Sequence, residues 1–151
     1  MLGIMLFSFG LHAEELSLSC DVQYRDIDQV TTSKQVTGQA NLNVYETEVI
    51  DKGIVKTNLK VNIDTDLLEG TMKYPLFMIP PLNSAKDGVV RLKKVTISDE
   101  SYTLISNFNF LNRIVTVIDR KTGGINSSHS IGDLNITGTC SKVETSIPNK
   151  F

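Results

Sequence analysis

Polar and apolar residues alternate with a period of two along most of this chain. No stretch of ten or more residues carries the 3.6-residue period of an amphipathic helix. Successive side chains of a strand point to opposite faces, so such alternation commits each segment to one buried and one wet face. Leu16, Leu18, Cys20, Val22 and Tyr24 share one face of a first strand, with Ser17, Ser19, Asp21 and Gln23 on the other. Val36, Gly38, Ala40, Leu42 and Val44 repeat the pattern, as do Val55, Thr57, Leu59, Val61 and Ile63. Asp51-Lys52-Gly53 lies between these two runs and has turn chemistry, which predicts a hairpin joining them. Asp26-Ile27-Asp28 reads as a solvated loop, and residues 65–70 as a helical turn stopped by Gly70.

Further strands are expected over residues 89–98, 101–107, 113–120, 125–130 and 134–142. They are separated by Asp99-Glu100, the Phe-rich bend FNFLN, Lys121-Thr122-Gly123-Gly124 and Ile131-Gly132-Asp133. The result is an all-β antiparallel barrel or sandwich of about eight or nine short strands. A chain of 151 residues suggests one domain, here residues 14–151.

The first thirteen residues, MLGIMLFSFGLHA, hold an apolar core from Leu2 to Leu11, end in Ala13 and are followed by Glu14-Glu15. This has the form of a secretory signal peptide cleaved after Ala13, although no Lys or Arg precedes the apolar core. The alternative is a buried N-terminal strand. An exported chain meets an oxidising compartment, so Cys20 and Cys140, each on the apolar face of its strand, are expected to form one disulfide. The bond would pin the closing seam of a barrel or staple the two sheets of a sandwich. Two buried free thiols are the alternative.

The formal net charge of −2 is too small to steer the chain to nucleic acid or to an anionic membrane. Lys121-Thr122-Gly123 has letters of a phosphate-binding loop, but that loop needs its glycines before the lysine and a helix after it. Here the glycines follow and a strand comes next, so VIDRKTGG reads as a hairpin corner whose Gly123 or Gly124 supplies positive φ. Asp119 and Arg120 have opposite parity, which points one of them inward as a structural ion pair or a ligand anchor.

This same stretch carries a resemblance. Ile118-Asp119-Arg120-Lys121-Thr122-Gly123, Gly138-Thr139-Cys140, the terminal Phe151 and an upstream Leu18-Ser19-Cys20-Asp21 resemble uncharacterised small exported bacterial proteins. Their ends show an [Asp/Asn]-Arg-x-Thr-Gly, Gly-x-Cys and Phe pattern. The resemblance covers the two ends of the chain and implies a cell-envelope β-domain with no assigned activity.

Catalytic constellations are thin. Once the signal peptide is set aside, His129 is the only histidine, and it reads as a solvated strand residue without a nucleophile's context. One histidine and two oxidised cysteines do not make a zinc site. Asn62, Asp64, Asp66 and Glu69 lack the glycine of a calcium loop. No cofactor, metal or enzymatic activity is therefore expected. Tyr74 to Leu82, YPLFMIPPL, is the most apolar irregular segment; three prolines limit it to an edge strand or a loop. Tyr74, Leu76, Phe77, Met78 and Ile79 are the candidate contacts for an envelope protein partner or a small apolar ligand, unless the segment is buried as a plug in the barrel's end.

The leading expectation is a periplasmic or secreted, non-enzymatic binding module. A second reading is an inhibitor of a cell-wall-degrading enzyme. It rests on a resemblance to small periplasmic lysozyme inhibitors, which share an exported barrel and a Cys-Asp first strand; their Ser-Gly-x-x-Tyr loop is not in this chain. A third is an eight-stranded outer-membrane barrel, suggested by length and Phe151 but short of the aromatic girdles such barrels carry.

Overall fold

The computed structural model describes residues 14–35, 43–79, 85, 87–109, 112–129 and 135–144. The expected signal peptide, residues 36–42 of the strand expected from Val36 to Val44, Pro80–Leu82, the turn at residues 131–133 and Phe151 lie outside them. The strands are β1 (Glu15–Gln35), β2 (Asn43–Asp64), β3 (Glu69–Lys73), β4 (Val89–Ile97), β5 (Ser101–Asn107), β6 (Arg113–Asp119), β7 (Gly124–His129) and β8 (Asn135–Lys142). Each pairs antiparallel with its sequence neighbours, and β1 pairs with β8, so the sheet closes into an eight-stranded barrel. Of the two expected architectures the barrel is the one formed. The all-β antiparallel reading holds; the strands are not uniformly short, since β1 and β2 run to 21 and 22 residues.

The alternation sorts the barrel wall as expected. Leu16, Leu18, Cys20 and Val22 of β1 and Leu59, Val61 and Ile63 of β2 are buried, while Asp21, Gln23, Lys56, Asn58, Lys60 and Asn62 are exposed. Val90, Leu92 and Val95 share the interior although their spacing is irregular, because Lys93 is an extra residue at a bulge opposite β5. Burying this apolar face is the main favourable term in the fold.

Cys20 lies directly opposite Cys140 where β1 meets β8, and the two are joined by a disulfide. The bond therefore pins the closing seam. Beside it, Val143 N–H donates to the Ser17 carbonyl at 2.8 Å, so the odd-numbered residues of β1 aim their backbone groups at β8.

The two ends of the barrel differ. Three connections at one end are tight turns, each capped by the side chain that opens it. Asp64 Oδ1 accepts from the N–H of Asp66 and Leu67 at 3.0 and 2.9 Å. Ser98 Oγ accepts from Ser101 N–H at 3.0 Å. Asp119 Oδ1 accepts from Lys121 and Thr122 N–H at 2.8 and 2.7 Å. The expected hairpin corner at VIDRKTGG is thus present, and Gly123 is its positive-φ residue, at 74°. The turn over residues 65–68 is likewise present, but Gly70 does not stop it; Gly70 lies inside β3 and Leu68 takes the positive φ. The opposite end carries Tyr74 to Ile79 and Gly88, and the bend closed by the Phe108 N–H on the Asn112 carbonyl.

From that second end β1 and β2 continue past the barrel. Pairing with β8 stops at Tyr24, and pairing with β3 covers only Lys60 to Asp64. Beyond, the two strands pair only with each other among the described residues, from Ile27 opposite Asp51 to Gln35 opposite Asn43. These nine pairs make a two-stranded arm about 30 Å long. The hairpin expected at Asp51-Lys52-Gly53 is corrected here. Asp26 lies opposite Gly53 and Ile27 opposite Asp51, so Lys52 is the extra residue of a bulge at the arm's root. Gly53 has φ of 93°, and its N–H bonds to Asp51 Oδ1 at 2.9 Å. The same Asp-x-Gly chemistry serves a reversal or a bulge; a long antiparallel partner in β1 decides for the bulge. Asp26-Ile27-Asp28 is correspondingly strand, not loop.

Replacing the pair, Cys20→Ser with Cys140→Ser, opens a closure of 120 residues. The chain-entropy model gives that closure roughly 4–5 kcal/mol as a ceiling. A markedly lower thermal midpoint with an unchanged far-UV spectrum is expected; an unmoved midpoint would show that the seam holds without the bond.

Candidate functional site

The sequence placed its candidate contacts in the segment after β3. The chain turns inward there: Tyr74 N–H bonds the Gly88 carbonyl at 2.9 Å and the side chain is 1 % exposed. Its hydroxyl is 2.7 Å from Ser106 Oγ, and its ring meets Phe108 edge-on with centroids 4.9 Å apart. Thr116 and Ser127 pair their hydroxyls at 2.7 Å, with Met72 Sδ 4.0 Å from Thr116 Oγ1. Tyr74, Ser106, Thr116 and Ser127 therefore form a buried hydroxyl layer inside an apolar barrel, each with a partner, as burial of polar groups demands. Burial pushes the Tyr74 phenol up to about 12, against a smaller lowering by its bonds to Ser106 and Thr116.

Tyr74 is thus a core residue, which corrects its place among the surface contacts. A short 3-10 turn follows at Leu76–Met78; Met78 and Ile79 are half-buried against the core, and Leu76 is exposed at 63 %. The side chain of Phe77 lies outside the described residues. In the described part of the segment Tyr74, Met78 and Ile79 pack on the core and Leu76 is left outside.

His129 shares the inward parity of Ile125 and Ser127. It is half-buried, with its ring 6.4 Å from that of Phe108. The expectation of a solvated strand residue is corrected by that parity, which was readable in the sequence. Among the described residues no group of three or more His, Cys, Asp or Glu side chains could hold a metal ion.

Asp119 and Arg120 take separate partners instead of each other. The Asp119 carboxylate is spent on the turn, and the N–H bond from Thr122 is the main reason its pKa lies below the usual range. The Arg120 guanidinium donates to the Ser98 carbonyl and lies over the Tyr102 ring, 5.1 Å from the centroid. Arg120 so ties two neighbouring turns together.

The feature that sequence reasoning missed is the arm. Its outward face continues the outer wall of the barrel and carries Ile54, Ile27, Val49 and Tyr45, which are 68, 43, 60 and 67 % exposed. Thr31 and Thr47, paired across the strands, lie between them. The single ionic feature on this face is Arg25 bonded to Asp51. That bond, followed by the Gly53 N–H, holds the Asp51 pKa below its ordinary value. The opposite face carries Asp28, Glu46 and Glu48 around Val30 and Ile50, with Lys52 reaching Asp28. Tyr45-Glu46-Thr47-Glu48-Val49 is a strict alternation that signals two unlike faces.

Two clefts adjoin the arm's foot. One, of about 720 Å³, lies among Asp21, Gln23, Lys56, Asn58, Thr137 and Thr139. The other, of about 390 Å³, shares Gln23 and Thr137 and reaches Arg25, Gly53 and Ile54. A polar trough on the barrel wall thus runs into the apolar face of the arm. No family model matches the chain, and no curated protein or solved structure is significantly similar to it.

Tyr74→Phe removes one hydroxyl and strands Ser106, at a cost of about 1–2 kcal/mol. The pH dependence has a definite sign. A phenol whose folded pKa is near 12 against an ordinary 10 stabilises the fold fully below pH 10, and the contribution is lost as pH rises through 12. Absorbance at 295 nm should show one of the four tyrosines ionising late, near pH 12, and Tyr74→Phe should abolish that late step.

Proposed function

We propose that the protein is an exported, non-enzymatic interaction module of the cell envelope that engages a protein partner through the outward face of its β1–β2 arm. One observation carries this reading. Of the eleven exposed large apolar side chains among the described residues, six (Ile27, Val30, Tyr45, Val49, Ile50 and Ile54) belong to the arm and its root, and four of these, Ile27, Tyr45, Val49 and Ile54, share the outward face. A two-stranded ribbon is marginal in water by itself, and contiguous apolar surface of this kind marks a contact site. The face runs the length of a two-stranded ribbon, which suits a protein surface better than a small apolar ligand, whose sites are concave.

Export is supported by the disulfide, a bond that persists in oxidising compartments. Among the described residues no helix is long and apolar enough to cross a membrane. Against a membrane-embedded barrel stands the sense of the alternation: a lipid-facing wall must be apolar outside, whereas this wall shows Asp21, Gln23, Lys56, Asn58 and Lys60 outside and its apolar residues within. The lysozyme-inhibitor reading gains no specific observation from the geometry.

Val49→Asp and Ile54→Asp put charge on the outward face without touching the barrel interior. Each is expected to abolish capture of the partner from an envelope extract while thermal stability and the disulfide are kept. Leu76→Asp, at the barrel's end, is expected to leave capture intact. Loss with Leu76→Asp alone would move the contact back to the segment after β3, and indifference to all three would remove the arm from the account.

A further inference from the structure

We propose that the free β1 edge of the arm is a homodimer interface, in which two copies pair their β1 strands antiparallel about Val30. The product is a four-stranded sheet ordered β2, β1, β1, β2.

The edge is open. From Arg25 onward β1 has a hydrogen-bonded partner only on its β2 side among the described residues. The odd residues of β1 aim their backbone groups away from β2, as Ser17 does toward Val143. The extra residue at the root is on β2, so this alternation passes along β1 unbroken. Arg25, Ile27, Gln29, Thr31 and Ser33 therefore present backbone donors and acceptors with no strand partner among the described residues. No proline interrupts residues 25–35, and the bulge that would twist this edge away is on the other strand. An undefended edge of this length is a template for another strand.

The second copy is the occupant because the edge is complementary to itself. Antiparallel pairing centred on Val30 sets residue 29 opposite 31, 27 opposite 33 and 25 opposite 35, all odd, as the edge requires. This register sets position 26 opposite position 34, which are Asp and Lys in the sequence, and two-fold symmetry gives this pair twice. Asp28 faces Thr32, and no like charges meet. Moving the axis to Gln29 leaves no acid opposite a base. Moving it to Thr31 calls on Asp28, which is already paired with Lys52. The two-fold axis stands perpendicular to the sheet, so the outward faces of both copies fall on the same side. The dimer doubles the contact surface proposed above. It does not depend on that proposal, since it uses the edge of the arm and not its face.

Sedimentation equilibrium on the full exported chain tests the inference. The wild type is expected to dimerise. Asp26→Lys and Lys34→Asp should each weaken dimerisation roughly tenfold or more, because two attractive pairs become two repulsive ones. The double variant should regain it. The two single variants mixed together should form a heterodimer, since each then offers the charge the other lacks. Far-UV spectra and the intact disulfide report that the barrel is unchanged. A strictly monomeric wild type, or a dimer indifferent to the exchanges, overturns the proposal. A dimer that answers to Asp28→Lys instead of Asp26→Lys overturns the Val30 axis. Partner capture reads the face and sedimentation reads the edge, so either can fail alone.

Discussion

Everything in this fold depends on the pairing of β1 with β8. Seven successive residues of β1, Leu18 to Tyr24, meet β8, and a disulfide crosses the ladder between Cys20 and Cys140. Without this contact the sheet would have two open edges and its apolar face would lie bare. With it, the interior is sealed by a closed wall, and the buried hydroxyls inside satisfy one another: Tyr74 with Ser106, and Thr116 with Ser127. Closure also fixes which end of the barrel is which. The end with capped turns is tightly specified by Asp64, Ser98 and Asp119, each serving its own turn. The other end receives the irregular segment and releases the arm.

Much of the barrel was legible because period-two alternation is a direct image of a wall with a dry and a wet side. The inward sets of β1, β2 and β6 follow from parity, the hairpin at Thr122-Gly123 from turn chemistry, and the disulfide from two cysteines on apolar faces of the first and last strands. What parity could not choose was barrel or sandwich, since both demand the same alternation; the choice lies in whether β1 meets β8. Asp51-Lys52-Gly53 misled because a bulge and a hairpin use the same local geometry, a positive φ at glycine and an aspartate bonded to its N–H. Only the partner strand, with Asp26 opposite Gly53 and Ile27 opposite Asp51, distinguishes them.

The contact residues were harder to read for a related reason. YPLFMIPPL stood out by hydropathy, but Tyr74 is held inside by its hydroxyl and its edge-on contact with Phe108. The arm stood out by nothing so simple. Ile27 and Val30 differ in parity, and Val49 and Ile50 are adjacent, so the arm's apolar residues are spread over both faces and dilute any periodic signal. Their exposure becomes visible only once β8 is known to stop at Tyr24.

The closing seam also sets the order in which the molecule can be completed. Seven of its eight strand pairings join neighbours along the chain, and each can form as soon as two strands exist. The eighth joins residues 120 apart, and the largest loop-closure entropy falls on it. The β1–β2 hairpin can therefore stand ready early, but β1 keeps one side open until the last strand arrives. A chain released short of β8 would have nearly all the local structure of this protein and none of its enclosure. Synthesis of β8 is thus the event that turns a sticky ribbon into a sealed container.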